Sequence, residues 1–369
     1  MQSAHTWRFV VLLGLGLAVA GCRFSSSPPS PPEPEDAGTQ ALPDTGPMAE
    51  IDAGTDVADA AVAVDAGPHD TGPPPEDAGT ARPDAAPHDA GSAASTPGCG
   101  RPAPTQGEWS LTHEGRNRTF LVHVPDGYDP ALPTPVVLDL HGRVFTAEAQ
   151  RDLTSMDEVA DREGFIVVHP QGIGRTWNGG VCCGEAMRED IDDVGFLSAV
   201  LDALEADLCV DCARVFATGM SNGAYMAHRL ACELSDRIAA IAPVAGTMAI
   251  ANCSPTRPVP VLHFHDDDDQ VVRYDGVGGF LSAPGSCEGW AERNGCNATS
   301  TPTFMQDDVR CEAWTDCDEG AVVELCTIEG GGHTWPGGTP LPLLGRTTQT
   351  ISASELAWEF FEMHPFPGR

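Results

Sequence analysis

Residues 213–226 read ARVFATGMSNGAYM, and this stretch decides the fold. The β-branched and aromatic residues before Gly219 predict a strand, and the apolar spacing after Gly223 predicts a helix. Between them lies the pattern Gly-x-Ser-x-Gly, which is typical of a nucleophile elbow, a sharp turn that joins a strand to a helix. The glycines leave room for that turn. The sequence therefore predicts that Ser221 stands above a sheet, where a substrate carbonyl can reach its hydroxyl.

Taken alone, this pattern also fits a glycine-rich loop after a strand, so its partners matter. Residues 261–269 read VLHFHDDDD, an apolar strand that ends in a run of carboxylates. Residues 329–338 read EGGGHTWPGG and place His333 in a glycine-rich loop. Serine, then aspartate, then histidine is the order that α/β-hydrolases use.

These residue types serve one chemistry. A serine hydroxyl is a poor nucleophile at neutral pH and must lose its proton as it attacks. A neutral imidazole, here that of His333, can take the proton and return it to the leaving group. A carboxylate behind the imidazole fixes its tautomer. Backbone N–H groups must also stabilise the oxyanion. We expect one from Asn222, directly after the nucleophile, and the other from Arg143, in the loop after the predicted strand 134–140.

Several separated motifs extend this pattern. They are LHG at 140–142, WNGG at 177–180 followed by Cys182 and Cys183, DDVGF at 192–196, the serine elbow, and GGGHTWP at 330–336. In this order they resemble the esterase group that contains poly(3-hydroxybutyrate) depolymerase-like proteins and the feruloyl and acetylxylan esterases of carbohydrate esterase family 1. The resemblance covers roughly residues 105–365. It implies an α/β-hydrolase fold, a Ser-His-Asp triad and ester hydrolysis without a cofactor or metal.

The chain departs from the family pattern at two points. Family members usually read His-Gly-Cys at the oxyanion loop, and Arg143 stands in the third place here. The acid loop usually reads His-Gly-x-x-Asp, and Asp266 replaces its glycine. Matching His265 to the family histidine makes Asp269 the triad acid. The rest of the aspartate run is then a solvated acidic turn or a cation site.

The N-terminus predicts export. An apolar run at 9–20 is too short to span a bilayer and suits a secretory signal. It ends in Val-Ala-Gly-Cys, which resembles a bacterial lipobox, so residues 1–21 are a predicted signal peptide and Cys22 a lipid attachment site. An ordinary signal peptide with an incidental cysteine is the alternative. We expect a lipid anchor at the outer membrane or cell surface, and membrane contact through that lipid alone.

Residues 22–97 have a different composition, rich in Pro, Ala, Gly and Asp, with Asp-Ala-Gly recurring from Asp36 to Asp89. Because this segment has too few apolar side chains to form a hydrophobic core, its composition predicts a disordered acidic tether. A calcium-binding solenoid is the alternative, which the irregular spacing and frequent proline disfavour.

Residues 98–369 are long enough for one well-packed domain. Alternating strand and helix patterns predict a mainly parallel sheet with helices on both faces, the α/β-hydrolase architecture. We expect strands at 118–125, 134–140, 165–169, 214–219, 238–245, 259–265 and 322–329, and helices at 154–163, 192–208, 222–235 and 354–363. The stretch 275–316 predicts an excursion that caps the site.

The net charge of the chain limits the kinds of partner it can bind, and its cysteine content indicates the cellular compartment in which it works. The chain has a formal net charge of -34 and no lysine, which opposes nucleic-acid binding and suits a neutral ester. Thirteen cysteines behind an export signal indicate an oxidising compartment. Cys209 and Cys212 suit structural bridges, to each other or elsewhere. The family resemblance implies a Cys296–Cys317 bridge, and Cys311 and Cys326 lie on segments that can pair as strands. No paired zinc-ligand array is evident.

The sequence thus predicts an exported, monomeric serine esterase that acts on polymeric or small esters, either hydroxybutyrate polyester or feruloyl and acetyl groups on xylan. Trp177 and Trp335 lie near the inferred site and are weak candidates for stacking on a substrate ring, with plain packing as the alternative. Two other functions stay open: a catalytically silent surface protein that binds carbohydrate, and a serine peptidase on the same fold.

Overall fold

The computed structural model describes residues 96–104 and 106–367. These residues build a ten-stranded sheet in the order β1-β2-β4-β3-β5-β6-β7-β10-β9-β8. The strands are β1 Gly107–His113, β2 Arg116–His123, β3 Thr134–Leu140, β4 Ile166–Pro170, β5 Val210–Met220, β6 Ala240–Val244, β7 Val261–Asp266, β8 Thr301–Gln306, β9 Val309–Trp314 and β10 Val323–Ile328.

The middle of the sheet is parallel and its two edges are antiparallel. Strands β4, β3, β5, β6, β7 and β10 run parallel to one another. Strands β1 and β2 add one antiparallel edge, and β9 and β8 add the other. The predicted mainly parallel α/β sheet is confirmed.

Helices cover both faces of this sheet. They are α1 Ala147–Thr154, α2 Met156–Glu163, α3 Gly184–Arg188, α4 Asp193–Asp207, α5 Asn222–Glu233, α6 Ala283–Arg293 and α7 Ala353–Met363. Side chains alternate across a strand, so Val136 and Leu138 of β3 join one core with α4, α5 and α6. Val137 joins the opposite core with α2 and α7.

One predicted region is wrong. The stretch 275–316 was expected to be a cap-like excursion, yet it forms α6 and the hairpin β8–β9, and β9 pairs with β10 to extend the sheet. Scattered Gly, Cys and Pro in this stretch hide its strand pattern. Strand β1 and helix α1 were not predicted either.

Five disulfides lie within the described residues. They are Cys99–Cys209, Cys182–Cys183, Cys232–Cys253, Cys296–Cys317 and Cys311–Cys326. The bridge implied for Cys296 and the strand-to-strand pairing suggested for Cys311 are confirmed. Cys209 and Cys212 do not bridge each other. The many disulfides agree with an oxidising, extracytoplasmic compartment.

The predicted signal peptide, Cys22 and the tether up to residue 95 lie outside the described residues. Thr96 is already buried, and its hydroxyl donates to the carbonyl of Leu208 at 2.9 Å. Within the described part of the chain, no helix is both long and apolar enough to cross a membrane.

Candidate active site

The predicted elbow is present. Strand β5 ends at Met220, helix α5 begins at Asn222, and Ser221 between them has φ 56° and ψ −118°. A positive φ is unfavourable for a residue with a side chain, and such strain is characteristic of functional turns. The backbone N–H of Ser221 donates to the carbonyl of Val244 at 2.8 Å, which fixes the turn against β6.

Two glycines make this turn possible. A Cβ atom at Gly219 would lie 2.5 Å from the carbonyl oxygen of Leu140, and one at Gly223 would lie 2.0 Å from the same atom. Any larger residue would therefore push the elbow away from the end of β3. The two glycines of the Gly-x-Ser-x-Gly pattern therefore allow the elbow to lie close to strand β3.

Asp269 and His333 form a hydrogen-bonded pair. Oδ2 of Asp269 lies 2.7 Å from Nδ1 of His333, and both residues are buried. Oδ1 of Asp269 accepts from the backbone N–H groups of Val271 at 2.7 Å and Val272 at 2.9 Å. Because a carboxylate accepts and does not donate, Nδ1 of His333 carries a proton. The lone pair of the neutral ring is therefore on Nε2, the nitrogen that a general base needs.

Topology brings the three predicted residues to one edge of the sheet. Ser221 directly follows β5, Asp269 follows β7 by three residues, and His333 follows β10 by five residues. Strands β5, β6, β7 and β10 are parallel neighbours, so their carboxyl ends meet at the same edge. In open α/β sheets this edge is where ligands bind.

The remaining aspartates of the run have different surroundings. Asp267 is exposed, and its Oδ1 accepts from the Gly330 N–H at 2.6 Å. Asp268 is exposed, and its one hydrogen-bond partner among the described residues is Gln270. Asp266 is fully buried, and neither of its carboxyl oxygens has a hydrogen-bond partner among the described residues. Of the four, Asp269 alone is bonded to His333.

The loop after β3 lies beside the elbow. A Cβ atom at Gly142 would be 3.5 Å from the Cβ of Ser221. Nδ1 of His141 donates to the carbonyl of Gly142 at 2.8 Å, and its Nε2 accepts from the Gly172 N–H at 2.9 Å. Burial lowers the pKa of His141 to about 4, which keeps this ring neutral and both bonds intact. The loop that carries Arg143 is therefore held from two sides.

Among the described residues, the two backbone N–H groups predicted as oxyanion donors have no hydrogen-bond acceptor. The N–H of Asn222 belongs to the first turn of α5, whose amides have no acceptor within the helix. For the N–H of Arg143, no hydrogen-bond acceptor exists in the part of the chain that the structure describes. Both predicted donors therefore remain candidates, and arginine in place of the family cysteine leaves the backbone group in position.

The side chain of Asn222 has a further contact that the sequence did not reveal. Its Oδ1 accepts from the backbone N–H of Trp177 at 2.6 Å, and its Nδ2 donates to the carbonyl of Trp177 at 3.0 Å. The indole N–H of Trp177 donates to the carbonyl of His141 at 2.9 Å. These bonds link the elbow to the oxyanion loop through one buried tryptophan.

The two tryptophans that the sequence suggested for stacking on a substrate ring are not accessible. Trp177 and Trp335 are both 0% exposed. The indole N–H of Trp335 donates to the hydroxyl of Ser354 at 3.1 Å. A substrate ring cannot stack on either side chain in this structure, so the packing alternative is the correct one. Sequence position near the site did not distinguish these roles.

Several exposed apolar side chains adjoin residues of the site instead. We call this set the apolar rim, and it consists of Val144, Val271, Phe280 and Leu343. Val144 follows Arg143, and the N–H of Val271 binds Asp269. The rim was missed because strand and helix patterns carry no information about exposed loop residues.

The other two rim residues, Leu343 and Phe280, lie next to residues that contact the site. Leu343 precedes Leu344, whose carbonyl accepts the backbone N–H of His333 at 2.7 Å. The ring of Phe280 lies against Tyr225, with 6.0 Å between centroids. Tyr225 is one helical turn after Ser221, and its N–H donates to the Ser221 carbonyl at 3.1 Å.

One group of potential metal-ligand side chains does not include Ser221, Asp269 or His333. His113, Glu114 and Asp192 bring an imidazole and two carboxylates within 4.8 Å of one another. Nε2 of His113 and Oδ2 of Asp192 are already 3.0 Å apart and bonded to each other. None of the residues of the elbow, the acid loop or the His333 loop belongs to this group.

Comparison with known proteins agrees with this geometry. No family model matches the chain. NocK of Nocardia uniformis subsp. tsuyamanensis, a protein assigned to the esterases, is 30% identical over 275 residues, which cover 67% of this chain and 79% of that protein. This chain belongs to the same esterase family as NocK.

Other esterases are similar over smaller shares of their length. Feruloyl esterase B of Piromyces equi is 33% identical over 234 residues, which cover 58% of this chain and 42% of that enzyme. This chain therefore spans less than half of it. The solved structure of acetyl xylan esterase from Aspergillus awamori aligns with a TM-score of 0.48 at 16% identity, over 69% of this chain and 98% of that one.

Proposed function

We propose that this esterase is an extracytoplasmic serine carboxylic-ester hydrolase that removes feruloyl or acetyl groups from xylan through an acyl-enzyme. The main support is the hydrogen bond between Oδ2 of Asp269 and Nδ1 of His333, 2.7 Å long. This pair lies at the same edge of the sheet as the strained elbow of Ser221. A buried, oriented imidazole near a nucleophile elbow is the arrangement that serine acyl transfer requires.

In the first half-reaction, Oγ of Ser221 attacks the ester carbonyl carbon while Nε2 of His333 takes its proton. The carbonyl oxygen becomes an oxyanion, and the N–H groups of Asn222 and Arg143 stabilise it. Loss of one such donor typically costs about 100–1000-fold in kcat. Collapse of the tetrahedral intermediate expels the alcohol, which takes the proton from His333.

In the second half-reaction, water attacks the acyl-enzyme. His333 removes a proton from the water and then returns a proton to the Ser221 oxygen as the acid leaves. Asp269 stabilises the imidazolium in both halves, and its second oxygen stays bound to the Val271 and Val272 amides. The pair therefore keeps one geometry through the cycle, which is the benefit of a preorganised site.

The names of the relatives support the xylan esters as substrates. The similar proteins include feruloyl esterase B and a bifunctional acetylxylan esterase/xylanase. The strong negative charge of the chain fits an uncharged substrate better than a polyanion.

The apolar rim favours a second candidate substrate, an aliphatic polyester such as poly(3-hydroxybutyrate). Val271 is 60% exposed and Leu343 is 87% exposed beside the residues of the proposed triad. A cluster of exposed apolar side chains is unusual on a soluble protein and commonly marks a contact surface. A hydrocarbon-rich polymer surface can cover these side chains, whereas a hydrated polysaccharide offers them less.

We further propose that Cys22 carries a lipid that anchors the esterase at the cell envelope, with residues 23–95 as an extended tether that ends before the buried Thr96. The support is the Val-Ala-Gly-Cys sequence after a short apolar run. The tether would allow the site to reach a polymer that cannot diffuse to the cell surface.

The catalytic proposal is tested by substitution of the nucleophile and the base. Ser221→Ala and His333→Ala should each lower turnover of a soluble ester by about three to six orders of magnitude, with the double variant little worse than either. Ser110→Ala, at an exposed position of β1, is the matched control and should keep full activity. Circular dichroism should show that all four variants fold. Substantial activity in Ser221→Ala contradicts the proposed triad.

Substrate panels separate the remaining functions. The purified esterase is given methyl ferulate, acetylated xylan, polyester film and a set of peptides, with Ser221→Ala as the blank. Release of ferulate or acetate supports the first proposal, and release of hydroxy acid from the film supports the second. Covalent labelling of Ser221 by a fluorophosphonate without any turnover would indicate another substrate, and cleavage of peptides alone would indicate a peptidase. Absence of labelling would indicate a catalytically silent binding protein.

A further inference from the structure

Behind the acid loop lies a buried row of histidines that the proposed mechanism does not use. His228, His263 and His265 are all 0% exposed. The rings of His263 and His265 are stacked with centroids 5.4 Å apart, and His228 lies 5.6 Å from His263. Nε2 of His263 is 3.1 Å from Nδ1 of His265, and Nε2 of His265 is 2.8 Å from the carbonyl oxygen of Val272.

The polarity of these bonds follows from their end groups. A carbonyl oxygen only accepts, so Nε2 of His265 carries a proton and donates to Val272. In the neutral ring Nδ1 is then an acceptor, and Nε2 of His263 donates to it. Burial lowers the pKa of both rings, which keeps them neutral. Hydrogen bonds are therefore donated in one direction, from His263 to His265 and from His265 to Val272. Val272 lies in the turn that follows Asp269.

This turn holds the carboxylate of Asp269. The backbone N–H groups of Val271 and Val272 both bind Oδ1, which leaves Oδ2 for His333. His265 fixes the carbonyl of the same residue whose N–H holds Oδ1. Its own Nε2 is 3.6 Å from Oδ2 of Asp269, beyond hydrogen-bond distance. The hydrogen-bonded connection from His265 to the carboxylate therefore passes through the turn.

We propose that His265 is a positioning residue, which orients the Asp269 carboxylate toward His333 by holding the carbonyl of Val272. The proposal rests on the proposed esterase function. The ring adds stiffness to the turn, because it is itself held by His263 on one side and by the edge of Tyr274 on the other, 5.9 Å between centroids.

Two substitutions at this position test the proposal. His265→Leu removes the donor to Val272 and should lower kcat on a soluble ester by about 10–100-fold, because a small misplacement of a catalytic group has costs of that order. KM should change much less, since the turn does not bind substrate. His265→Gln keeps an N–H donor at a similar reach and should recover most of kcat.

A spectroscopic measurement separates positioning from general stability. The Nδ1 proton of His333, bonded to Asp269, should give a downfield proton resonance in the wild-type esterase. We expect it to weaken or vanish in His265→Leu and to persist in His265→Gln. Trp290→Phe is the matched control. It removes the indole donor to His228 at the far end of the row, so it should lower stability but leave kcat and the resonance unchanged.

The outcomes are distinct. A folded His265→Leu with unchanged kcat and an unchanged resonance overturns the proposal, while an inactive Ser221→Ala in the same assay keeps the esterase function. An active Ser221→Ala overturns the function itself. Should His265→Leu fail to fold, His265→Asn replaces it, because the shorter amide remains polar but does not reach Val272. Unchanged kcat in that variant overturns the proposal equally.

Discussion

The buried carboxyl of Asp266 should make this esterase less stable as pH rises. Neither oxygen of Asp266 has a hydrogen-bond partner among the described residues, and the side chain is 0% exposed. Burial, and then the nearby charge of Asp269, raise the pKa of Asp266 from 3.8 to about 8. Asp266→Asn removes the ionisable group and keeps nearly the same side-chain shape, so it is the substitution to test.

The size and sign of the effect follow from proton linkage. Between pH 4 and pH 8 the carboxyl of Asp266 is ionised in the unfolded chain and protonated in the folded domain. The folded state thus binds more protons, and its stability falls as pH rises until the folded group also ionises. A difference of roughly four pKa units corresponds to about 5 kcal/mol at most. Asp266→Asn should match the wild type at pH 4 and exceed it by several kcal/mol at pH 9.

Urea unfolding at a series of pH values, with the disulfides intact, measures this difference through the transition midpoint. Asp268→Asn is the matched control, since Asp268 lies in the same run and is exposed. Its stability relative to the wild type should not depend on pH. If the Asp266→Asn difference is equally flat from pH 4 to pH 9, the carboxyl does not titrate as argued, and it must have a charged or hydrogen-bonding partner.

Asp269→Asn should lower kcat far more than Asp267→Asn, because only Asp269 sets the tautomer of His333, and steady-state kinetics on one soluble ester compares them. Asn222→Ala keeps the backbone donor but loses both bonds to Trp177, so kcat should fall about 10–100-fold with a smaller change in KM. Arg118→Met leaves the buried carboxylate of Asp193 without its guanidinium at 2.7 Å and should cost about 3–5 kcal/mol in urea unfolding. Cys22→Ser should abolish incorporation of labelled fatty acid in an expressing bacterium.

Much of the fold could be predicted from the sequence because its signals are local. The strands on the parallel part of the sheet are short apolar runs, and the helices between them show apolar spacing. The predicted strand at 134–140 and the predicted helix at 222–235 agree with β3 and α5 almost residue by residue. Strand β8 was missed because all six of its residues are exposed, so no alternation of apolar and polar residues marks it.

The residues of the site likewise include some that local sequence predicts and some that only the folded structure reveals. Ser221 and His333 could be placed because each lies in a short glycine-containing motif that the local turn requires. The bonds from Asn222 to Trp177 and from His265 to Val272 depend on how separate segments meet, and neither segment shows this in its own residues. Burial decided against the two tryptophans as platforms, and burial of a loop residue is a property of the whole fold.

Asp266 and Gly331 show how one departure from a motif constrains another position. A Cβ atom at Gly331 would lie 1.8 Å from Oδ1 of Asp266, so the carboxyl fits beneath the His333 loop only because position 331 has no side chain. A family glycine at 266 would leave that space open. The aspartate therefore fills the gap between β7 and the His333 loop, and it does so in neutral form at the pH where the base must be neutral as well. Its ionisation would add a negative charge beside Asp269, which stabilises an imidazolium and works against the base form of His333.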